Sequence, residues 1–138
     1  MSKNAEVGLD ALFAAAKAAR ERAYAPYSRF FVGAAIRAPS GAIYSGCNVE
    51  NAAYPQGSCA EASAIAAMAL AGERRIEAIV VVGDGEDLCT PCGGCRQRIR
   101  EFADATTRIH VAGLAGLRAS FALEELLPHS FGPEHLGR

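Results

Sequence analysis

The sequence has no excess of either charge. Its 138 residues include 14 lysines and arginines and 15 aspartates and glutamates, which leaves a net charge of −1. Basic residues are not concentrated along one face, although Arg96, Arg98 and Arg100 form a local group. Because nucleic acids are bound through extended basic surface, the composition predicts a protein without a nucleic-acid partner.

The chain also lacks sequence signals for secretion or membrane insertion. Residues 1–10, MSKNAEVGLD, carry an acid early and no apolar core, unlike a secretory signal. The longest apolar run, residues 62–72, is rich in alanine and falls well short of the roughly 20 residues that cross a bilayer. We therefore expect a soluble cytoplasmic protein with no membrane partner.

Nucleotide-cofactor motifs are missing as well. The segment Gly83-Asp84-Gly85 lacks the third glycine of a dinucleotide fingerprint, and there is no Gly-Lys-Ser/Thr ending of a P-loop. There is also no internal repeat, linker or low-complexity segment. At this length, with 51% hydrophobic residues, we expect residues 1–138 to form a single domain.

The first half of the chain predicts a helix followed by a hairpin. Apolar residues recur at helical spacing until the Tyr24-Ala25-Pro26 segment: Leu9, Leu12, Phe13, Ala16, Ala19 and Ala23. Residues 30–38 and 42–48 are short apolar runs separated by Pro39-Ser40-Gly41, which is typical of a hairpin with a longer loop. Residues 48–57 are polar and irregular.

The second half alternates helical and strand patterns. Ser58 and Glu61 have the spacing of a capping box before a helix over residues 62–70, and Gly72 follows as a stop signal. Thr90 and Pro91 suit the N-cap and first position of a helix that ends at Phe102. Strands are predicted at residues 76–83 and 108–112, and residues 117–131 hold a last short strand or helix. This alternation predicts a layered α/β domain with a partly parallel sheet.

Five cysteines stand out, because an odd number in a reducing compartment favours metal ligation or free thiols over disulfides. Cys92 and Cys95 are three residues apart and share a helix face, and Cys59 lies at the start of the other helix. Helix N-termini lower thiol pKa and favour the thiolates that bind zinc. With Glu61 close by as a proton carrier, these three thiols have the composition of an open catalytic zinc site, while Cys47 and Cys89 are expected to be dispensable.

Simpler interpretations remain open for each part of this group. Glu61 can be only the capping partner of Ser58, and the Cys92-Gly-Gly-Cys95 pair can be a redox dithiol. A closed structural zinc site can recruit Cys89 or Cys47 as a fourth ligand. However, a redox dithiol does not require a third cysteine, and a closed structural zinc site does not require the glutamate. The histidines, His110, His129 and His135, lie in a strand pattern or a polar tail, where packing or surface roles are expected.

The motifs, taken together, resemble those of the small, homotetrameric class of cytidine deaminase. The similar segments occur in order along nearly the whole chain: residues 24–30, 32–35, 48–61 (NVENAAYPQGSCAE), 91–97 (PCGGCRQ) and 124–131 (EELLPHSF). A metal ligand, one residue, a glutamate and then Pro-Cys-x-x-Cys is also the general pattern of zinc-dependent base deaminases.

The resemblance implies a three-layer α/β/α sandwich with a mixed five-stranded sheet. It implies one Zn²⁺ per subunit, held by Cys59, Cys92 and Cys95, and Glu61 as the proton carrier. The implied reaction is the hydrolysis of cytidine and deoxycytidine to uridine and deoxyuridine in pyrimidine salvage. The alternative is a deaminase of a modified nucleoside such as blasticidin S.

The resemblance also implies a homotetramer that binds a nucleoside at sites shared between its subunits. Asn48 and Glu50 match residues that hold the ribose 3′-hydroxyl. Phe30 matches an aromatic residue that packs on the pyrimidine, and Phe131 matches an aromatic residue that reaches into a neighbouring subunit's site. Ala52 and Tyr54 belong to the same binding loop, and the backbone around Ala60 and Thr90 suits the edge of the base.

One position departs from the family pattern. Ala62 stands where many members with three cysteine ligands carry an arginine. Zinc with three thiolates has a net charge of −1, since +2 − 3 = −1, and Glu61 adds a further negative group. We expect the helix dipoles, with Arg96 or an arginine from elsewhere in the fold, to offset that charge. Arg29 and Phe31 are two further positions that bear on the rim of the pocket.

Overall fold

The computed structural model describes the backbone of residues 3–138 and the side chains from residue 8 onward. This part of the chain contains five strands and four helices. In chain order they are α1 (Lys3–Arg20), β1 (Gly33–Arg37), β2 (Ile43–Cys47), α2 (Ala60–Leu70), β3 (Ala78–Val82), α3 (Gly93–Phe102), β4 (Arg108–Gly113), β5 (Gly116–Ala122) and α4 (Leu123–Leu126). Single 3-10 turns occur at Tyr54–Gln56 and Pro133–Leu136. None of the helices in this described part is long and apolar enough to cross a lipid bilayer.

The five strands form one mixed sheet in the order β2-β1-β3-β4-β5. Only β3 and β4 are parallel, and the other neighbours are antiparallel. The predicted hairpin is confirmed, because β1 pairs with β2 from Gly33 opposite Cys47 to Arg37 opposite Ile43. All five residues of β3 are buried, as the continuous β-branched run of a central strand requires.

Helices cover both faces of the sheet, which confirms the expected three-layer α/β/α sandwich. Successive residues of a strand point to opposite faces, so each strand contributes to two separate cores. On one face, Leu12 and Ala16 of α1 pack against the buried Val80. On the other face, residues of α2 and α3, including Met68 and Ile99, pack with alternate strand residues.

Two glycines let chain segments approach the sheet closely enough to bring the helix starts together. A Cβ at Gly46 of β2 would lie 2.4 Å from the backbone nitrogen of Ala64, inside α2. A Cβ at Gly83, directly after β3, would lie 2.6 Å from the Sγ of Cys89. Both distances are too short for real side-chain contacts, so α2 and the segment leading to α3 depend on these glycines.

Both predicted helix starts are wrong by one or two residues. The N-cap of α2 is Cys59, and that of α3 is Cys92, and neither side chain makes a capping hydrogen bond. Ser58 cannot close the expected capping box, because its backbone forms an antiparallel bridge with Val49. The predicted stop after α2 is confirmed by the positive φ of 93° at Gly72.

A histidine is buried within the sheet. His110 of β4 lies opposite Ser120 of β5, with 2.6 Å between Nδ1 and the serine Oγ. Only 6% of His110 is exposed. Burial, with a smaller contribution from nearby Arg108 and Arg37, lowers the pKa of His110 to about 4. The packing role expected for this histidine is therefore confirmed.

We predict that His110 destabilises the protein in mild acid. An unfolded histidine has a pKa near 6.5. Below that pH the unfolded chain binds a proton at this residue, whereas the folded chain does not bind one until the pH is near 4. Stability should fall as pH drops from about 6.5 towards 4, by up to about 3 kcal/mol from this residue. Urea unfolding at several pH values should show a flatter dependence for His110→Gln than for the parent protein. The exposed His129→Gln is the control, and parallel curves for all three proteins contradict the prediction.

Candidate active site

Three cysteine sulfurs meet where α2 and α3 begin. The Sγ atoms of Cys59, Cys92 and Cys95 all lie within 4.8 Å of one another. Cys59 and Cys92 are the N-caps of the two helices, and Cys95 is fully buried one turn into α3. The gathering of these three thiols, predicted from their spacing, is therefore present in the fold.

The competing interpretations of the cysteines fit this geometry poorly. A redox dithiol needs only Cys92 and Cys95, yet a third sulfur is equally close. Within the described residues, neither Cys47 nor Cys89 joins the group, so no fourth protein ligand closes it. Three sulfurs with an open fourth position have the ligand composition of a catalytic zinc centre and not of a closed structural one.

The three thiols differ in how readily they lose a proton. Burial raises the pKa of Cys59, and burial with the neighbouring Glu61 carboxylate raises the pKa of Cys95. The backbone N–H of Cys95, in the first turn of α3, lowers the pKa of Cys92. The start of α3 thus favours the thiolate at Cys92 as expected, whereas at Cys59 the effect of burial dominates.

This uneven charge balance fits a bound zinc ion. Two of the thiols are disfavoured as thiolates chiefly because burial penalises their negative charge, and further positive charge nearby would offset that penalty. A divalent cation between three convergent sulfurs supplies that charge, and thiolate sulfur is a preferred ligand of Zn²⁺. The cluster therefore suits zinc by the number and chemistry of its donors.

Glu61 lies beside the sulfurs without belonging to their group. It is in the first turn of α2 and only 5% exposed. Burial raises its pKa, and the positive charge of Arg98 partly opposes that shift. The alternative in which Glu61 only caps α2 through Ser58 fails, since Cys59 holds the cap position. A buried carboxyl with a raised pKa next to a metal site is suited to carry protons.

A cleft of about 360 Å³ has a size suited to a small ligand. Its lining residues are Tyr27, Ser28, Glu50, Asn51, Tyr54 and Gly57. Glu50 and Tyr54 were predicted from the sequence, whereas Ala52 is exposed in the same loop and does not line the cleft. Tyr27, Ser28 and Asn51 were missed, although they lie inside the family-like segments 24–30 and 48–61, which were the available signal.

Glu50 is held as a carboxylate in the wall of this cleft. Its Oε1 accepts hydrogen bonds from the backbone N–H of Tyr27 at 2.9 Å and of Ser28 at 3.1 Å. Its Oε2 accepts one from the Ser28 hydroxyl, and these bonds lower the pKa of Glu50. The acid therefore fixes the turn at residues 27–28 and keeps its negative charge at neutral pH.

The next few residues are fixed by two further side chains. Asn48 accepts a hydrogen bond from Val32 N–H at 2.9 Å and donates one to Phe30 O at 2.8 Å. Asp84, just after β3, accepts one from Phe31 N–H at 2.9 Å and is paired with Arg20. Phe30, 40% exposed, thus has a defined backbone position, and its ring reaches over Gly83. Asp84 was not found from the sequence, because its partners are 53 and 64 residues away.

Phe131 lies away from the cleft of its own chain. Its ring is 56% exposed and stacks on His135, with 4.9 Å between the ring centroids. Gln97 of α3 donates a hydrogen bond to the Phe131 carbonyl at 2.9 Å, and Arg100 donates one to Ser130 at 2.8 Å. The terminal segment that carries Phe131 is therefore attached to the helix that provides two of the cysteines.

Arg96 does not supply the charge compensation considered for it. Its guanidinium donates to the carbonyls of Pro91 and Leu126, each at 2.7 Å, and to the hydroxyl of Thr90. It therefore joins the segment before α3 to the end of α4. The arginine next to the sulfurs is instead Arg98, whose Nη1 lies 3.7 Å from the Sγ of Cys95.

The sequence matches known proteins along most of its length. Residues 8–111 match the family described as the cytidine and deoxycytidylate deaminase zinc-binding region. A cytidine deaminase of Sporosarcina psychrophila is 43% identical over 128 residues, which is 93% of this chain and 94% of that protein. A cytidine deaminase of Halalkalibacterium halodurans is 42% identical over 118 residues, covering 86% of this chain and 89% of that protein.

Solved structures give the same result for the fold. The crystal structure of cytidine deaminase from Burkholderia pseudomallei superposes with a TM-score of 0.83 at 41% identity, over 95% of this chain and all of that one. Cytidine deaminase from Mycobacterium leprae gives a TM-score of 0.75 at 39% identity, over 88% of this chain and 98% of that chain. The mixed sheet and its layers are thus shared with these enzymes.

We predict that Asp84 holds the backbone that positions Phe30. Replacing Asp84 by alanine removes the acceptor for Phe31 N–H, so this amide should exchange its hydrogen with solvent at least about tenfold faster, equivalent to about 1.4 kcal/mol of lost protection. Hydrogen exchange followed by NMR measures this directly. The exposed acid Glu86, mutated to alanine, is the matched control. Equal exchange of the Phe31 amide in both variants contradicts the role of Asp84.

Proposed function

This chain belongs to the cytidine and deoxycytidylate deaminase family, and we propose that it hydrolyses cytidine and deoxycytidine to uridine and deoxyuridine with release of ammonia. The observation that carries this proposal is the buried Glu61 beside three convergent sulfurs. A metal-activated nucleophile and a separate proton carrier are the two requirements of such a hydrolysis, and this arrangement provides both.

The cysteines have the role of metal ligands. Cys59, Cys92 and Cys95 would hold one zinc ion per subunit. When bound, zinc lowers the pKa of a coordinated water to about 7 and so supplies a nucleophile at neutral pH. The starts of α2 and α3 place the three sulfurs, and Arg96 fixes the segment before α3 through Thr90 and Pro91.

Glu61 transfers the protons of the reaction. Its carboxylate accepts the proton released by the attacking water and delivers it to N3 of the pyrimidine, which makes C4 more electrophilic. It then takes the second proton from the hydroxyl group added at C4 and passes it to the amine, which departs from C4 as ammonia. Burial supports this role, because a carboxyl that is shielded from bulk water exchanges protons with the bound substrate and not with solvent.

The cleft residues bind the nucleoside. Glu50 keeps its charge at the cleft wall and has acceptor capacity left for a ribose hydroxyl. Asn48, whose amide bonds the backbone of Val32 and Phe30, is assigned to the same sugar. Phe30 is partly exposed and held by its backbone, which suits stacking on the pyrimidine. Backbone groups at Ala60, the first residue of α2, are assigned to the edge of the base, and the loop with Ala52 and Tyr54 covers the sugar.

The active protein is a homotetramer in which Phe131 completes a neighbouring site. Apart from Glu61 and Ser63, every residue of α2 is apolar, which is typical of a helix buried on all sides. Nevertheless Leu70 is 90% exposed in the single chain, so assembly would cover it. Phe131 is exposed and firmly attached to α3, as a residue that reaches into a neighbour needs to be.

Cytidine as the substrate supports a role of the enzyme in pyrimidine salvage, and a cytoplasmic location agrees with five free cysteines in the described chain.

An ultraviolet assay with cytidine tests the function, since loss of the amine changes the absorbance of the base. Deoxycytidine and blasticidin S assayed in parallel separate the two substrate classes. Turnover of blasticidin S alone would overturn the assignment to cytidine.

We predict that Glu61→Gln retains zinc and the fold but loses turnover. The amide cannot carry a proton, and a positioned proton carrier contributes roughly 10²–10⁴-fold to the rate. Steady-state rates and metal content of the purified variant measure both effects. Glu101→Gln, the same change at an exposed position of α3, should leave both unchanged. Near-normal turnover by Glu61→Gln would show that this carboxyl is not the proton carrier.

We also predict that mixed subunits restore activity if Phe131 acts on a neighbouring site. Glu61→Gln and Phe131→Ala are each expected to be nearly inactive alone. After mixing, dissociation and reassembly, sites with an intact Glu61 from one chain and Phe131 from another should form, on the order of a quarter of all sites. Turnover of the mixture against the separate variants gives the answer. If Phe131 acts within its own chain, no complete site forms and the mixture stays inactive.

A further inference from the structure

Arg98 is the one arginine of α3 that reaches the sulfur cluster. Its Nη1 lies 3.7 Å from the Sγ of Cys95, within hydrogen-bond range for a sulfur acceptor. Arg96 and Arg100, on the same helix, instead bind the segments around Leu126 and Ser130. Two arginines of α3 thus bind other segments of the chain, and only the third, Arg98, reaches a metal ligand.

The surroundings of Arg98 leave its guanidinium room to reach the sulfur. A Cβ at Gly94 would lie 3.2 Å from Arg98 Nη1, which is a tight contact, so this glycine leaves room for the side chain. Among the described residues, no carboxylate forms a salt bridge with Arg98. Arg98 lies in a groove between α3 and α2, and the α2 side of that groove offers Ala62 and no charged group.

The charge of the site explains what a guanidinium contributes there. A zinc ion with three thiolates has a net charge of −1, since +2 − 3 = −1, and the ionised Glu61 carboxylate adds another negative charge. Excess electron density on the sulfurs weakens the metal as a Lewis acid. A charge-assisted hydrogen bond to one thiolate withdraws part of that density and fixes the orientation of the ligand.

We propose that Arg98 is a positioning residue of the zinc site, whose guanidinium donates a hydrogen bond to the Cys95 sulfur and offsets the surplus negative charge of the three thiolates. The proposal rests on the proposed function in one respect, the identity of the metal as zinc. It does not depend on turnover of a substrate. It assigns to α3 the compensating positive charge that α2 does not carry at Ala62. The side chain touches a ligand and not the substrate, so it acts through Cys95.

Zinc retention tests this assignment without any substrate. Arg98→Met keeps the aliphatic stem but removes the guanidinium. Partners that hydrogen-bond to metal ligands typically change metal affinity 10- to 100-fold, so zinc should leave this variant 10–100 times more readily in competition with a chromogenic chelator. Arg75→Met is the matched control, because Arg75 is exposed and pairs with Asp104, not with a sulfur. It should retain zinc like the parent protein.

Cobalt gives a second readout, specific for the sulfur ligands. In the Co²⁺-substituted protein, Arg98→Met should shift the sulfur-to-cobalt charge-transfer band to lower energy, because the thiolate loses a hydrogen bond. Retention and band position equal to those of Arg75→Met overturn the proposal. Weakened retention with an unshifted band also overturns it, because the defect then lies in the stability of α3. A parent protein that holds zinc but does not deaminate cytidine refutes the proposed function and leaves the test of Arg98 valid.

Discussion

The structure is organised around a concentration of negative charge at one edge of the sheet. Three sulfurs lie within 4.8 Å of one another beside a nearly buried carboxyl group. Such a group is costly unless positive charge is brought to it. Positive charge has three sources here: a zinc ion that the sulfurs are suited to hold, the backbone N–H groups at the start of α3, and the guanidinium of Arg98. The close approaches at Gly46 and Gly83 bring α2 and the segment leading to α3 to this edge.

The substrate side of the site depends on backbone fixation more than on side-chain packing. Asn48 and Glu50 lie in one loop and Asp84 follows β3, yet all three accept hydrogen bonds from N–H groups in residues 27–32. Several hydrogen bonds along a loop keep a residue of that loop in a defined position. Glu50 therefore has two functions, since it shapes the loop and presents a charge to the cleft.

Local spacing predicted the Cys92 and Cys95 pair and the hairpin, whereas the joining of Cys59 to that pair and the three layers were predicted with the help of the family resemblance. Cys92 and Cys95 share a helix face at any helix start, and a buried central strand is visible as an apolar run. The helix caps could not be predicted, because Ser58 is engaged by Val49 in a bridge that spacing does not reveal. The role of Asp84 depends on partners that are distant in the sequence, and the role proposed for Phe131 depends on another subunit.

The helix α3 connects the parts of the site that sequence patterns treat separately. Its first turn provides two sulfurs, Ile99 anchors it in the core, and its exposed side holds the terminal segment through Gln97 and Arg100. Because α3 is only ten residues long, a shift that moves the sulfurs also moves the attachment of Phe131. The positions of two of the sulfurs and of Phe131 are thus set by one helix, so that in the proposed tetramer zinc binding would be coupled to the completion of a shared site.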